Sequence, residues 1–138
     1  MPRQKKSVRL DWEEAPEIKK IIEDILKTVD LDHINGAFLY CYRTKGSSSR
    51  SYARIWGFPK IFQRALNIPP SYVIEVLSQY FDKLSDEEKI HVLIHELLHI
   101  PKNFSGALLS HNSNGRHLEK TARELFKKYK QTRLITNN

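Results

Sequence analysis

A pair of histidines with a glutamate beside the first is the clearest chemical signal in the chain. His95 and His99 are four residues apart, and Glu96 follows His95 directly, in the pattern HExxH. On a helix this spacing puts both imidazoles on one face, close enough to hold one metal ion. Glu96 is displaced by about 100° around the axis, which would put its carboxylate beside a bound water. The motif therefore predicts a zinc site in which Glu96 is the general base of a hydrolase.

A catalytic zinc needs a third protein ligand, with the fourth position left to water. Three downstream residues could supply it, namely His111, His117 and Glu119. His111 is favoured because it lies in a predicted loop just before the last helix, and neutral imidazole is the commonest ligand. His117 remains the main alternative. His91 lies on the same helix face as His95 and His99, one turn earlier in the chain. About 12 Å of helix separates it from His99, so we interpret His91 as a residue that supports a metal ligand or lies at the surface.

The element that carries the motif has well-marked ends. Ser85 and Glu88 form the pattern of a capping box, and Pro101 is expected to end the helix soon after His99. A broad apolar surface lies between these ends, made of Ile90, Leu93, Ile94, Leu97, Leu98 and Ile100. These features predict a central, well-buried helix.

The other elements predict an α+β domain of minimal zincin-like size. A first helix should begin near Pro16, and strands are predicted at 37–42, 51–56 and 72–77, the first two as a hairpin. Residues 59–66 are predicted to form a short helix or turn. After the motif helix, a loop of about a dozen residues should lead to a last helix from 115 or 116 to 130. The predicted fold is thus an N-terminal helix, a small, mostly antiparallel three-stranded sheet, the HExxH helix, a loop and a C-terminal helix.

Length and composition indicate one globular domain. We predict a basic N-terminal arm at 1–14, a single domain at 15–132 and a tail at 133–138 among the 138 residues. No stretch approaches the roughly 20 apolar residues of a membrane span. The basic start of the chain is not followed by an apolar run, so it is not typical of a secretory signal. With Cys41 as the single cysteine, these points favour the cytoplasm.

The net charge of +7 has two interpretations. Basic residues concentrate at both ends and around the predicted hairpin, which would favour weak binding to nucleic acid. The alternative is that the charge only keeps the domain soluble.

A family resemblance rests on several separated segments. The segment 94–101, followed by Phe104-Ser105-Gly106 and then His111, resembles a family of archaeal and phage zinc metallopeptidases. Segments 51–59 and 72–76 fit the same group, so the resemblance covers roughly residues 16–130. It implies a minimal zincin-like fold related to the SprT-like and YgjP-like groups, with His95, His99 and His111 as ligands and Glu96 as base. Asn112 departs from this pattern, because SprT-like proteins usually have glycine at that position. The chain has no methionine after Met1, so it lacks the Met-turn of metzincins.

Three functions follow from these observations. The first is a zinc metallopeptidase that hydrolyses peptide bonds of a peptide or protein substrate by Glu96-assisted attack of a metal-bound water. The second is a nucleic-acid-associated, SprT-like protein that acts on DNA-bound proteins. The third is a non-catalytic metal-binding module, which the intact Glu96 disfavours. Zinc is the expected ion, although imidazole ligands also suit cobalt, nickel or iron.

Overall fold

The computed structural model describes residues 9–136, except for the side chains of 111–116, 135 and 136. In chain order the elements are β1 (Asp11–Glu14), α1 (Pro16–Thr28), β2 (Leu39–Lys45), β3 (Ala53–Gly57), α2 (Lys60–Leu66), β4 (Tyr72–Leu77), α3 (Ser78–Phe81), α4 (Asp86–Leu97) and α5 (His111–Thr136). The predicted α+β class is confirmed. No helix among residues 9–136 is long and apolar enough to cross a membrane.

The sheet differs from the prediction in its strand count and pairing. Its four strands lie in the order β1-β2-β4-β3, with β2 and β4 parallel and the other two pairs antiparallel. The predicted hairpin of β2 and β3 is wrong, because β4 lies between them. Burial explains this order: β4 is buried along nearly its whole length, whereas β3 keeps half-exposed and exposed residues suited to an edge. Strand β1 was not predicted, since all four of its residues are exposed and give no apolar alternation.

The two faces of the sheet have different partners. Alternate residues of the strands, Leu39, Cys41, Ala53, Ile74 and Val76, join the main apolar core. Ile18, Ile22 and Ile25 of α1 and Leu93, Ile94 and Leu97 of α4 pack into the same core. The opposite face of the sheet carries Trp12, Tyr40 and Trp56, each about half exposed.

Helix α4 begins as the sequence predicts. The Ser85 side chain accepts from the Glu88 amide at 3.1 Å, and the Glu88 carboxylate accepts from the Ser85 amide at 3.2 Å, which completes the capping box. The regular helix ends at Leu97, so His99 lies in the following turn, where its amide donates to the Glu96 carbonyl at 3.1 Å. The second motif histidine is therefore positioned by a tight turn and not by regular α-helix.

The last helix is longer than predicted at both ends. It begins at His111, so the preceding loop is shorter than expected and His111 is a helix residue instead of a loop residue. The polar stretch from Asn112 to Gly115 suggested a loop because its residues are weak helix formers. Tertiary context commonly overrides such local preferences.

Candidate metal centre

Burial of α4 in the core determines where the motif side chains lie. Leu93, Ile94 and Leu97 are fully buried, so the residues between them, His95 and Glu96, lie half-buried at the boundary of the core. His99 is only 6% exposed. The ring centroids of His95 and His99 are 5.3 Å apart, with the ring planes at 73°. The two histidines of the motif thus converge as their spacing predicts.

The orientation of the His99 ring is determined by the loop that follows it. Its Nδ1 lies 2.7 Å from the Leu109 carbonyl oxygen, and the Leu109 amide donates to the His99 carbonyl at 2.8 Å. A carbonyl oxygen can only accept, so Nδ1 carries the proton. In the neutral ring the lone pair is then on Nε2, the form in which histidine binds a metal.

The loop that supplies Leu109 is anchored to the sheet through Tyr72. The Tyr72 hydroxyl accepts from the Gly106 amide and donates to the Ala107 carbonyl, both at 2.8 Å. Gly106 has φ +94°, and a Cβ there would lie 2.3 Å from the Phe58 carbonyl oxygen. Only glycine fits this conformation and this close approach.

Two further contacts hold the same loop against the end of β3. A Cβ on Gly57 would lie 2.1 Å from the Gly106 carbonyl oxygen, so the two backbones touch directly. The Gln63 side-chain amide donates to the carbonyls of Phe58 and Ser105, each at 2.8 Å. Helix α2 and the edge strand therefore hold the loop that positions His99.

Glu96 has the electrostatics of a proton acceptor at neutral pH. Burial raises the pKa of its carboxyl from the usual 4.5 to about 7, because the charged form is poorly solvated there. A pKa near the working pH is the most effective one for a group that must take up and then deliver a proton.

Glu96 and His95 line a cavity of about 450 Å³ between α4, the start of β3 and α5. Glu119 of α5 also lines it, and its Oε2 lies 3.8 Å from the Nδ1 of His95. His91 faces the same cavity and stacks on Phe126, with ring centroids 5.0 Å apart. The site thus opens on a space large enough for part of a substrate.

Comparison with known protein families adds a second line of evidence. The chain matches the family model described as "Putative phage metallopeptidase" over residues 10–130. It belongs to this family. No curated protein and no solved structure is significantly similar to it. The resemblance drawn from the motif is thereby confirmed at the level of a metallopeptidase family, which implies a metal ion and a peptide or protein substrate.

The side chains at this site fit a metal ion in part. His95 and His99 converge, and the proton on Nδ1 of His99 suits binding through Nε2. Among side chains that the structure describes, no group of three or more histidine, cysteine, aspartate or glutamate residues is arranged to hold an ion. The predicted third ligand, His111, is the first residue of α5, and its side chain lies outside the described ones. His117 is exposed.

Several residues that shape the centre had no functional signal in the sequence. Leu109 acts through its backbone, and Tyr72 was predicted only as part of a strand. Glu88, which lines the cavity, was predicted only as part of the capping box of the helix. A backbone carbonyl has no residue type, and contacts across 30 or more positions have no local pattern, so no motif could have found them.

Proposed function

We propose that this protein is a zinc-dependent peptidase with His95, His99 and His111 as metal ligands and Glu96 as general base. The observation that carries the proposal is the convergence of the two motif imidazoles, with rings 5.3 Å apart, beside a carboxyl whose pKa is about 7. Zinc held there would polarise a peptide carbonyl and acidify the attacking water.

The surrounding chain prepares His99 for this role. The Leu109 carbonyl fixes the proton on Nδ1, so no tautomer change is needed before Nε2 binds. The same bond limits rotation of the ring, which lowers the entropy lost when a metal is bound. His99 is therefore pre-organised as a ligand by a loop that Tyr72 and Gln63 hold in place.

Glu96 moves one proton through the reaction. It takes the proton from the water as the water oxygen bonds to the peptide carbon, and it gives that proton to the nitrogen as the carbon–nitrogen bond breaks. The partly buried setting excludes bulk water, which would otherwise solvate the carboxylate and lower its basicity.

Glu96→Gln tests this role, because the amide keeps size and polarity but cannot accept the proton. We expect the variant to fold and to bind zinc like the wild type while cleaving a peptide library at least about 1,000-fold more slowly, a loss at the level of general-base catalysis. Glu87→Gln, on the exposed side of the same helix turn as the cap, is the matched control and should cleave normally.

Two results would contradict the proposal. Equal cleavage by wild type and Glu96→Gln, with zinc retained, would remove Glu96 as the base. Stoichiometric zinc with no cleavage of any peptide or protein would favour a non-catalytic metal-binding module.

Exposed aromatic rings on the second face of the sheet support an additional function in nucleic-acid binding. Trp12, Tyr40 and Trp56 share this face and are 57, 46 and 52% exposed. Exposed aromatic rings on a sheet can stack on unpaired bases, and a net charge of +7 attracts phosphates. A peptidase with this face would act on proteins bound to nucleic acid, as the SprT-like resemblance implies.

A further inference from the structure

The cavity beside Glu96 extends well beyond the proposed catalytic residues. One stripe of α4, from Glu88 through His91 and Val92 to His95, forms its floor. Seven residues separate Glu88 from His95, which corresponds to about 10 Å along the helix axis. A substrate whose peptide bond lies at Glu96 would therefore direct a neighbouring side chain along this stripe toward Glu88.

The charge of the cavity is opposite to that of the protein. Besides Glu96, which the proposed reaction uses, its acidic lining residues are Glu88 and Glu119, and no lysine or arginine is among its described lining residues. The chain as a whole has 23 basic and 16 acidic residues. The cavity is thus a local region of negative charge in a basic domain, and it would attract a cation and repel an acidic side chain.

The remaining walls suit a long aliphatic stem. Ala53, Leu84, Val92 and Tyr52 line the same cavity, together with the polar Ser51. Lysine and arginine have this construction, with methylene groups that pack on apolar walls and a charged end that needs a carboxylate.

We propose that the cavity is the subsite for the substrate side chain next to the cleaved bond, and that it selects lysine or arginine through Glu88. This inference rests on the proposed function, since it assigns specificity to the same site. The α-amino group of a residue directly beside the cleaved bond would lie too close to that bond to reach Glu88, so we assign the selected cation to a side chain.

Glu88 is held in place for this role. Glu88 is exposed, and its Oε1 accepts from the Ser85 amide in the capping box at 3.2 Å, a bond that orients the carboxylate. The box needs only an acceptor at this position, and glutamine serves as well as glutamate. Glu88→Gln therefore removes the negative charge while it keeps the helix cap.

The experiment measures cleavage and binding of matched peptides. Four N-acetylated series differ only at the residues flanking the cleaved bond, which are lysine, arginine, norleucine or glutamate, and a fifth lysine series has a free N-terminus. We expect the wild type to prefer lysine and arginine peptides. Glu88→Gln should lower kcat/KM for these peptides about tenfold, because one charge-assisted hydrogen bond is lost. The kcat/KM for norleucine peptides should not change. Glu87→Gln, which does not line the cavity, should change neither.

Binding to the Glu96→Gln protein, measured by fluorescence anisotropy of the same peptides, separates this inference from the proposed function. If the Glu96→Gln protein binds lysine peptides preferentially, and adding Glu88→Gln to it abolishes this preference, the subsite is supported even if nothing is cleaved. Cleavage without a lysine or arginine preference, or a preference that survives Glu88→Gln, overturns the subsite and leaves the peptidase function standing. A preference seen only with the free N-terminus assigns the cation to the amino group and also overturns it.

Discussion

The Nδ1 nitrogen of His99 lies 2.7 Å from the carbonyl oxygen of Leu109, while the Leu109 amide donates back to the His99 carbonyl at 2.8 Å. This reciprocal pairing ties the proposed ligand to the loop that leads into α5. The loop thus orients one histidine by its own backbone, and it ends one residue before the next histidine in the chain, His111.

The third metal ligand is predicted to be His111. His111→Ala should weaken zinc binding by more than about 100-fold, because loss of a direct ligand exceeds the 10–100-fold typical of a supporting residue. His117→Ala should change the affinity little, since that residue is exposed. Competition titration with a chromophoric chelator measures the affinity, and plasma emission spectrometry should find about one zinc per wild-type chain.

Glu119 is the remaining candidate for the third ligand, and its Oε2 lies 3.8 Å from the Nδ1 of His95. Glu119→Gln therefore tests whether Glu119 binds the metal or only supports His95. If Glu119 only supports His95, the loss should stay within about 10- to 100-fold. A greater loss with Glu119→Gln or His117→Ala than with His111→Ala would show that the assignment to His111 is wrong.

The carboxyl of Glu96 should make the metal-free protein less stable at alkaline pH. Its pKa is about 7 in the folded protein and 4.5 when unfolded, so the folded state binds the proton more tightly. Its favourable contribution is therefore fully present below pH 4.5 and is lost as the pH rises through 7, at a cost of up to about 3 kcal/mol. Urea denaturation in chelator should show Glu96→Gln more stable than wild type at pH 8, with a much smaller difference at pH 5.

The exposed Glu87 provides the control for this pH effect, since Glu87→Gln should follow the wild type at both pH values. A stability difference between Glu96→Gln and wild type that does not change from pH 5 to pH 8 would contradict the raised pKa.

Removal of the Tyr72 hydroxyl should destabilise the domain through the loop at 105–107. Tyr72→Phe leaves the Gly106 amide and the Ala107 carbonyl without this partner, and we expect a loss of about 2 kcal/mol in the free energy of unfolding. Tyr40→Phe, on the exposed sheet face, should stay within about 0.5 kcal/mol of wild type. Equal stability of the two variants in chemical denaturation would show that the hydroxyl does not anchor the loop.

The basic charge and the aromatic sheet face predict weak, salt-sensitive binding of single-stranded nucleic acid. Raising the salt from about 50 to about 200 mM should weaken binding steeply, because contacts to phosphate release counterions. Trp12→Ala should weaken binding at every salt concentration, since stacking does not depend on counterions. Anisotropy titrations with DNA and RNA oligonucleotides measure both effects, and absence of binding at the lower salt would remove this function.

The sequence by itself predicted the elements whose signals are local. Pro16 marked the start of α1, Ser85 and Glu88 marked the start of α4, and the spacing of His95 and His99 predicted that the two rings would converge. Each of these signals involves residues within about one or two turns, so local backbone geometry brings them near each other.

Only the tertiary structure decided how distant segments meet. The insertion of β4 between β2 and β3 depends on which strand gains most from burial on both faces. This order follows from a comparison of all the strands, so the sequence of one strand does not predict it. The Tyr72 anchor and the acid-lined cavity between α4 and Glu119 likewise join residues far apart in sequence, and the contact of Leu109 with His99 closes a loop across ten residues. Close packing of the core holds these surfaces together, and packing is a property of the folded chain as a whole.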